Sequence, residues 1–245
     1  MSDTTDFGFR EVPRTQKASM VREVFESVAP RYDLMNDLMS LGIHRIWKRI
    51  FINSIAASPR ETLLDLAGGT GDIAFGALAR GAKRVILTDV NPAMLEVAQK
   101  RALDRGITTG LDFAVVDAEH IPLPDRSVEK ISIAFGLRNC TDKSAVLREA
   151  RRVLRPGGRF HCLEFSKVAI EPLAKVYDLW SFKVLPEIGA RVAQDRDSYE
   201  YLAESIRRFP DQETLEDMMR DAGLERVAHR NLSGGIVAMH SGWRL

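Results

Sequence analysis

The 245-residue sequence predicts an α/β fold in which a mostly parallel sheet has helices on both faces and ends in an antiparallel hairpin. Short apolar runs, each followed by an acidic residue or a glycine, alternate with stretches whose apolar residues recur at helical spacing, which is the pattern of repeated strand-helix-strand units. The near-continuous apolar character of the runs indicates strands that are buried on both faces. A Ser-Gly-Gly turn between the last two runs indicates the closing hairpin.

Composition excludes several classes of protein. The sequence has 35 Lys and Arg against 34 Asp and Glu, so it lacks the basic footprint of a nucleic-acid-binding protein. Cys140 and Cys162 have neither metal-ligand spacing nor a disulfide framework, which indicates reduced thiols, a cytoplasmic location and no metal site. No apolar run approaches the roughly 20 residues that span a bilayer.

The chain reads as one large domain with additions at its start and in its second half. Residues 1–16 are polar and show no periodicity, so we expect a flexible N-terminal arm. The remainder, residues 17–245, has no linker or repeat and is expected to form a single domain. An insert at about 166–210 is expected to form a cap.

Two amphipathic helices are predicted before the sheet begins. The first extends from Lys17 to Pro30, and the second from Ile43 to Ala56, with Ile46 and Trp47 on its apolar side. The connector from Arg31 to Gly42 interleaves Tyr, Asp and Asn with Leu and Met. This composition fits ordinary helix packing and also fits an adaptable wall of an active site, and it does not decide between them.

The stretch from Leu63 to Asp72 is predicted to be a strand, a glycine loop and the start of a helix. Its glycines let the backbone approach a ligand closely, and the first helical amides face the same point. Gly69 and Gly71 also fit the dinucleotide fingerprint, so NAD is one alternative. Asp65 favours S-adenosylmethionine (SAM), because SAM carries an amino group and a sulfonium but no phosphate.

The next two strands also end in acidic residues. Arg84 to Asp89 forms the second strand, whose terminal carboxylate is suited to accept hydrogen bonds from ribose hydroxyls. Asn91 to Arg105 is predicted to be a helix with Asn91 as its N-cap. The third strand, Leu111 to Val116, leads to Asp117 and Ala118. In a SAM site the corresponding acid meets the adenine amino group, and a solvated loop carboxylate is the alternative.

The fourth strand, Lys130 to Phe135, leads into the segment Gly136 to Asn139. Because ligands bind at the carboxyl ends of strands in open α/β sheets, we expect this segment to line the pocket. Arg138 is the strongest candidate for substrate contact, and a surface salt bridge is the alternative. A helix ending at Leu154 and a Pro-Gly turn then lead into the fifth strand, Arg159 to Phe165.

The insert is longer than a strand crossover requires and is rich in aromatic residues. These aromatic side chains suit either a cover for a hydrophobic substrate or packing of the insert onto its own sheet. A helix from Gln212 to Ala222 follows, and then strands from Arg226 to Leu232 and from Ile236 to Ser241. A plain NAD-binding fold would lack this terminal hairpin.

Five segments make the chain resemble the ubiquinone/menaquinone biosynthesis C-methyltransferases, the UbiE family. They are VAPRYDLMNDLMSLGIHRIWKR from Val28, LDLAGGTGD from Leu64, FGLRNCTDK from Phe135, LEFSK from Leu163 and DSYEYLAESIRRFPDQETL from Asp197. The resemblance covers residues 20 to 245. It implies a class I methyltransferase fold: a Rossmann-like seven-stranded, mostly parallel sheet with a C-terminal antiparallel hairpin, N-terminal helices and a helical, aromatic cap.

The resemblance also implies which residues form the site, with SAM as the cofactor. Tyr32 would border both cofactor and substrate, Asn139 would bind substrate, and Arg138 would be catalytic. Many relatives have Ser where this chain has Ala134, so a hydroxyl contact expected there is absent. The expected cofactor-binding residues are Asp65, Gly69, Thr70, Gly71, Asp89, Asp117 and Ala118.

The implied reaction is SAM-dependent C-methylation of a polyprenylated hydroquinol ring. It converts demethylmenaquinol to menaquinol, or 2-polyprenyl-6-methoxy-1,4-benzoquinol to its 5-methyl product. A phenol of pKa about 10 must at least partly lose its proton before its ortho carbon becomes nucleophilic. Arg138 is suited to hold the phenolate oxygen. Asp33, Asp37, His44 and His120 are candidate proton relays.

The polyprenyl tail resides in a bilayer, so we expect transient, peripheral contact with the cytoplasmic face of a membrane. The basic and apolar segment Ile43 to Phe51 is one candidate contact face, and a core helix is the alternative. The sequence leaves open which quinol is used, the tail length, and whether the chain forms a homo-oligomer or joins a quinone-biosynthesis assembly. Alternative functions are methylation of another small apolar acceptor, an NAD(P)-dependent oxidoreductase, and a non-catalytic SAM-binding scaffold.

Overall fold

The computed structural model describes residues 3–28, 37, 40, 42–184, 187 and 196–245. A two-stranded hairpin precedes a seven-stranded sheet in these residues. The hairpin consists of β1 (Thr4–Phe7) and β2 (Arg10–Pro13). The large sheet consists of β3 (Thr62–Leu66), β4 (Arg84–Asp89), β5 (Leu111–Val115), β6 (Val128–Ala134), β7 (Leu154–Phe165), β8 (Glu225–Leu232) and β9 (Val237–Arg244).

The order of strands across the large sheet is β5-β4-β3-β6-β7-β9-β8. Pairings from β5 to β7 are parallel, whereas β9 is antiparallel to both β7 and β8. The predicted seven-stranded, mostly parallel sheet with an antiparallel C-terminal hairpin is therefore confirmed. β3 lies at the point where the strand order reverses, which is where open α/β sheets bind their ligands.

The helices lie on both faces of the sheet. They are α1 (Arg14–Val28), α2 (His44–Ile55), α3 (Asp72–Leu78), α4 (Pro92–Asp104), α5 (Lys143–Val153), α6 (Glu171–Leu179), α7 (Arg196–Arg208) and α8 (Gln212–Asp221). Within the described part of the chain, no helix has both the length and the apolar character needed to cross a bilayer.

Alternation along the central strands produces two apolar cores, one on each face of the sheet. Leu63 packs in the core formed with α2, α3 and α4, whereas its neighbours Leu64 and Leu66 pack in the core formed with α5 and α8. All three side chains are fully buried. This explains why the strand has no polar alternation: both of its faces are covered.

The helix α2 confirms the predicted segment and the place of Trp47 on its apolar side, but not the place of Ile46. Ile46 is 56% exposed, so its expected place in the core is wrong. The buried face contains Trp47 together with His44 and Phe51, which recur at helical spacing. This face includes a polar histidine, which the spacing of apolar residues did not indicate.

The expectation of a flexible arm over residues 1–16 is wrong for the residues that the structure describes. Strands β1 and β2 pair antiparallel from Thr4 with Pro13 to Phe7 with Arg10, and α1 begins at Arg14. Phe7 is buried and stacks on Tyr201 of the insert, with ring centroids 4.3 Å apart. A long-range contact, which local sequence patterns do not reveal, orders this segment.

The insert between β7 and β8 packs onto the body of the protein through α7. Tyr199 and Tyr201 join the core on one face of the sheet, and Phe209, just after α7, joins the core on the other. These contacts favour packing as the role of these three aromatic residues. Leu185, Pro186 and Ile188, which belong to the predicted aromatic and apolar cover, lie outside the described residues.

Candidate active site at the carboxyl ends of the central strands

The loops that follow β3 and β6 meet at the carboxyl edge of the sheet. Ala67 and Phe135 have positive φ angles of 47° and 56°, which side-chain-bearing residues adopt only at a cost. A Cβ on Gly136 would lie 2.6 Å from the Cβ of Ala67, so only glycine allows the two loops to approach this closely. Gly71 has a φ of 92° where the first loop turns into α3. The strained backbone brings both strand ends to one point.

Asp89 lies at the end of β4 and organises the glycine loop. Its Oδ2 accepts a hydrogen bond from the amide of Gly69 at 3.0 Å, and its Oδ1 accepts one from the amide of Asn91 at 2.9 Å. The Asn91 side chain in turn caps α4 by accepting from the amide of Ala93. Burial raises the pKa of Asp89, although these backbone donors oppose the shift. The carboxylate is thus held in a fixed orientation at the cavity wall.

A large cavity, with a volume of about 420 Å³, opens beside Asp89. It brings together five residues that the sequence predicted for the site, although they come from four separate segments: Gly69, Asp89, Asp117, Ala118 and Asn139. This volume is in the range of small-molecule sites. The convergence follows from parallel strands, whose carboxyl ends share one edge.

A smaller cavity, of about 20 Å³, shares Ala67 and Phe135 with the large cavity as lining residues. Asp65 and Thr70 face this smaller space rather than the larger one. The Asp65 Oδ1 accepts a hydrogen bond from Ser132 Oγ at 2.6 Å, whereas its Oδ2 is buried and has no partner among the described residues. Burial raises the pKa of this carboxyl to about 7.

Arg138 does not line either of these two cavities. It is 5% exposed, and its Nη1 donates to Glu164 Oε1 at 2.8 Å and to the Phe135 carbonyl at 2.6 Å. The alternative of an exposed salt bridge is therefore wrong, because the pair is buried. Arg138 Nε is buried and has no hydrogen-bond partner among the described residues. Whether this donor contacts substrate stays a prediction.

The short 3₁₀ turn Leu137–Asn139 explains which members of the predicted segment reach the cavity. Such a turn has three residues per revolution, so residues three apart share a face. Gly136 and Asn139 therefore both line the cavity, whereas Leu137 and Arg138 are directed elsewhere and are buried. The expectation that the whole segment lines this cavity is wrong for Leu137 and Arg138.

Glu164 is a buried acid whose role the sequence reasoning missed. It is 1% exposed near the end of β7, and it also accepts hydrogen bonds from the amides of Arg138 and Phe165. The Arg138 guanidinium lies over the Phe165 ring, with its Cζ 5.5 Å from the centroid of that ring. An acid in the middle of the apolar run of β7 was the available signal, because a buried carboxylate needs a cationic or multiple hydrogen-bonding partner.

Asn139 is held by the insert. Tyr201 Oη donates to Asn139 Oδ1 at 3.1 Å, and Tyr201 is itself stacked under Phe7. Burial raises the pKa of Tyr201, so its hydroxyl stays protonated and remains a donor. A ring stack and a hydrogen bond therefore link the N-terminal hairpin, the insert and the cavity wall.

Helix α1 forms part of the cavity wall, which the sequence reasoning did not foresee. The amphipathic pattern identified the helix but does not report which ligand site lies beside it. Its first residue, Arg14, is also tied to Asp142 at 3.3 Å. The α1 residues that line the cavity are Arg14, Thr15, Ala18, Val21 and Arg22.

The candidate proton relays differ in their surroundings. Asp37 is paired with Arg45 at 2.6 Å, and its pKa is lowered, chiefly by that hydrogen bond. His44 is buried, with Nδ1 2.9 Å from Ser40 Oγ, and His120 is exposed beside Asp117 at 3.5 Å. None of these three residues lines the large cavity.

Two predicted residues lie outside the described part of the chain. They are Tyr32, the expected neighbour of cofactor and substrate, and Asp33, the remaining relay candidate. In the described ranges, no group of three or more His, Cys, Asp or Glu side chains is arranged to hold a metal ion.

Comparison with known proteins identifies close relatives over the full length. A ubiquinone/menaquinone biosynthesis C-methyltransferase UbiE of Acidiphilium cryptum is 64% identical over 244 residues, covering 100% of this chain and 98% of the relative. The UbiE protein of Yersinia enterocolitica is 53% identical, and the match covers 99% of this chain and 97% of that protein. A solved SAM-dependent methyltransferase of Thermotoga maritima, 19% identical, superimposes with a TM-score of 0.67 over 92% of this chain and 100% of that chain, which supports the fold.

The family model matches nearly the whole chain. The matched range, residues 11–244, includes most of the hairpin strand β2, the glycine loop, the Arg138 turn and the terminal hairpin. The chain belongs to the ubiE/COQ5 methyltransferase family.

Proposed function

We propose that this protein transfers a methyl group from SAM to a ring carbon of a polyprenylated hydroquinol in ubiquinone or menaquinone biosynthesis. The observation that carries the proposal is the full-length, 64% identical relative that bears this function in its name. The products would be menaquinol from demethylmenaquinol, or the 5-methyl product from 2-polyprenyl-6-methoxy-1,4-benzoquinol. The site supports the proposal because acidic and amide side chains from several strand ends line a cavity of about 420 Å³.

The polar groups at the strand ends fit SAM. The unpartnered Oδ2 of Asp65 suits a cationic group such as the SAM ammonium, which would satisfy that oxygen. The Asp89 carboxylate, which is anchored by two amides, suits ribose hydroxyls. Asp117 and Ala118 line the same cavity and suit the adenine end. When bound, SAM supplies an electrophilic methyl group on a sulfonium.

The protein's own task is to raise the electron density of the acceptor ring and to align it. We infer that Arg138 stabilises the phenolate through its buried positive charge and its available Nε donor. Glu164 would act as a positioning residue, because it holds the guanidinium through Nη1. The ortho ring carbon of the phenolate would bond to the methyl carbon as the carbon–sulfur bond breaks and S-adenosylhomocysteine leaves, and the ring would become a phenol again when its proton moves from that carbon to the oxygen. Because opposite charges are neutralised in the transfer, alignment in a water-poor site contributes most.

The substrate implies further contacts that extend the proposal. Asn139 lines the cavity and is fixed by Tyr201, so it is suited to orient the ring. The polyprenyl tail requires access to a bilayer, and we therefore propose transient, peripheral attachment to the cytoplasmic face. Tyr32 is kept as a proposed substrate neighbour on the family resemblance alone.

The direct test is methyl transfer by the purified chain with SAM and short-chain naphthoquinol and benzoquinol acceptors. We expect a mass increase of one methyl group and an NMR signal of a ring-bound methyl. An O-methyl product would contradict the proposal and favour methylation of another small apolar acceptor. SAM binding without turnover of either quinol would favour a non-catalytic scaffold.

A further inference from the structure

A third cavity, of about 320 Å³, is strongly cationic. It lies between α2, the two ends of α3 and the last turns of α4. Nine residues line it, of which six are Arg or Lys and one, Asp72, is acidic. The whole chain has a formal net charge of only +1, so this concentration is local and does not reflect a basic composition. The six cationic residues are Arg45, Lys48, Arg49, Arg80, Arg101 and Arg105.

The acidic groups around this cavity compensate only some of its cations. Asp72 contacts Lys48 Nζ and Arg101 Nη2, each at 2.8 Å. Burial would raise the pKa of Asp72, but these two cations outweigh it and hold the pKa at about 2, so the group is ionised. Arg45 is paired with Asp37 at 2.6 Å.

Three arginines of this cavity have no carboxylate partner in the part of the chain that the structure describes. Among the described residues, no carboxylate oxygen lies within 4.0 Å of a guanidinium nitrogen of Arg49, Arg80 or Arg105. Arg80 donates to Asn53 Oδ1 at 2.6 Å and to the Gly76 carbonyl at 3.2 Å, which orients the guanidinium without neutralising it. Arg105 donates to the Arg101 carbonyl at 3.3 Å and stacks 4.7 Å above Phe75. The cavity is therefore built to receive an anion.

Two exposed apolar side chains indicate which kind of anion the cavity binds. Ile43 and Ile46, which flank the lining residues His44 and Arg45 in sequence at the start of α2, are 40% and 56% exposed. Exposed aliphatic groups next to Arg and Lys are typical of a surface that rests at the boundary between phospholipid headgroups and acyl chains. A soluble phosphate or a nucleic-acid strand would gain nothing from the isoleucines.

We propose that the cavity binds the phosphate of an anionic phospholipid headgroup, with Ile43 and Ile46 resting in the boundary region of the bilayer. Planar guanidinium groups match phosphate oxygens in charge and geometry. The cationic cavity shares Lys48 and Asp72 with the small cavity beside Asp65, so the test below leaves those two residues unchanged. The proposal rests on the proposed peripheral attachment and deepens it into a particular face of the protein and a particular lipid charge. Binding is expected to weaken as salt is added, because surface charges are screened.

The test is co-sedimentation of the full chain with vesicles of phosphatidylglycerol and phosphatidylcholine, or of phosphatidylcholine alone. We expect binding to the anionic vesicles and little to the neutral ones. The double variant Arg49→Gln/Arg105→Gln removes two uncompensated charges. At about 1 kcal/mol per basic residue, it should bind roughly 30-fold more weakly. The matched control Arg60→Gln/Arg230→Gln, which removes two exposed charges elsewhere, should bind like the wild type.

Two further measurements separate the outcomes. Turnover of a soluble short-chain quinol should be unchanged in the double variant, so a failure of docking is distinct from a failure of methyl transfer. Calorimetry with inorganic phosphate tests the soluble source. Phosphate binding without vesicle binding would overturn the lipid assignment, as would tighter binding of a single-stranded oligonucleotide. Equal vesicle binding by the double variant and the wild type would overturn the role of the cavity.

Discussion

Single residues at the carboxyl edge of the sheet have separable duties. Asp89 shapes the glycine loop and faces the large cavity, Asp65 faces the small one, and Arg138 is buried behind the wall against Glu164. Because these groups act on different parts of the cofactor and substrate, substitutions should affect binding and turnover differently.

Replacing Asp89 with Asn should weaken SAM binding about 10- to 100-fold. A hydrogen bond to a charged acceptor contributes about 1.5 to 3 kcal/mol, and the amide keeps the shape of the carboxylate. Calorimetric titration of SAM measures the change. The exposed Asp104→Asn on α4 is a matched control that should bind normally, and unchanged affinity in Asp89→Asn would refute the ribose assignment.

Breaking the buried ion pair should reduce stability and turnover together. Glu164→Gln leaves the Arg138 charge uncompensated, which costs about 3 kcal/mol or more of the free energy of unfolding. Arg138→Gln should reduce quinol turnover far more than SAM affinity. The combined variant Arg138→Gln/Glu164→Gln should recover much of the stability but not the turnover. Glu96→Gln serves as the exposed control. Denaturant unfolding and steady-state kinetics separate these effects. Recovery of turnover in Arg138→Gln/Glu164→Gln would exclude a catalytic role for the Arg138 guanidinium.

Asp65 should make stability fall as pH rises between about 4 and 7. Its pKa is raised by burial to about 7 in the fold, against an ordinary value of 3.8, so the folded state retains a proton that the unfolded chain has lost. Asp65 can change the free energy of unfolding by at most about 1.4 kcal/mol per pH unit, and its effect ends above pH 7. Urea unfolding without SAM at several pH values should show a flatter profile for Asp65→Asn. Parallel profiles would contradict the raised pKa.

Elements far apart in the chain cooperate to complete the site. The hairpin β1–β2 supports Tyr201 of α7, and α1 forms a wall of the large cavity. The sequence predicted the helices and sheet strands because their apolar spacing is local information. It did not predict the hairpin, because Phe7 is ordered by a ring almost two hundred positions later in the chain.

Phe7→Ala should therefore affect more than the hairpin. Truncating this buried ring should cost about 3 kcal/mol in stability and should lower turnover by loosening the Tyr201 contact with Asn139. Thermal unfolding and kinetics with saturating SAM measure the two effects. Phe9→Ala, in the same hairpin but 49% exposed, should change both far less. Equal effects of the two substitutions would show that the stack does not support the site.

The whole molecule should respond to SAM as one cooperative unit. A ligand at 100 times its Kd stabilises the native state by about 2.7 kcal/mol, which for a chain of this size raises Tm by about 5 to 10 °C. NAD at the same concentration should produce no shift. A thermal-shift series with SAM, its demethylated product and NAD measures this directly, and stabilisation by NAD alone would contradict the cofactor.

At the scale of the whole molecule, the topology is the feature that the sequence predicted best. Seven strands, their order of appearance and the terminal hairpin follow from apolar periodicity and turn residues, which act within a few positions of one another. The predicted residues Gly69, Asp89, Asp117, Ala118 and Asn139 meet in one cavity for the same reason: parallel strands place their carboxyl ends together.

What the sequence by itself determined is the kind of fold, the location of the cofactor loop and the residue types available for chemistry. Only the tertiary structure decided which side chains meet. The 3₁₀ turn directed Asn139 to the cavity and Arg138 to Glu164, and the packing of α2 left Ile46 exposed. Strand and helix periodicity is local, whereas burial and ion pairing depend on segments that meet only after the chain has folded.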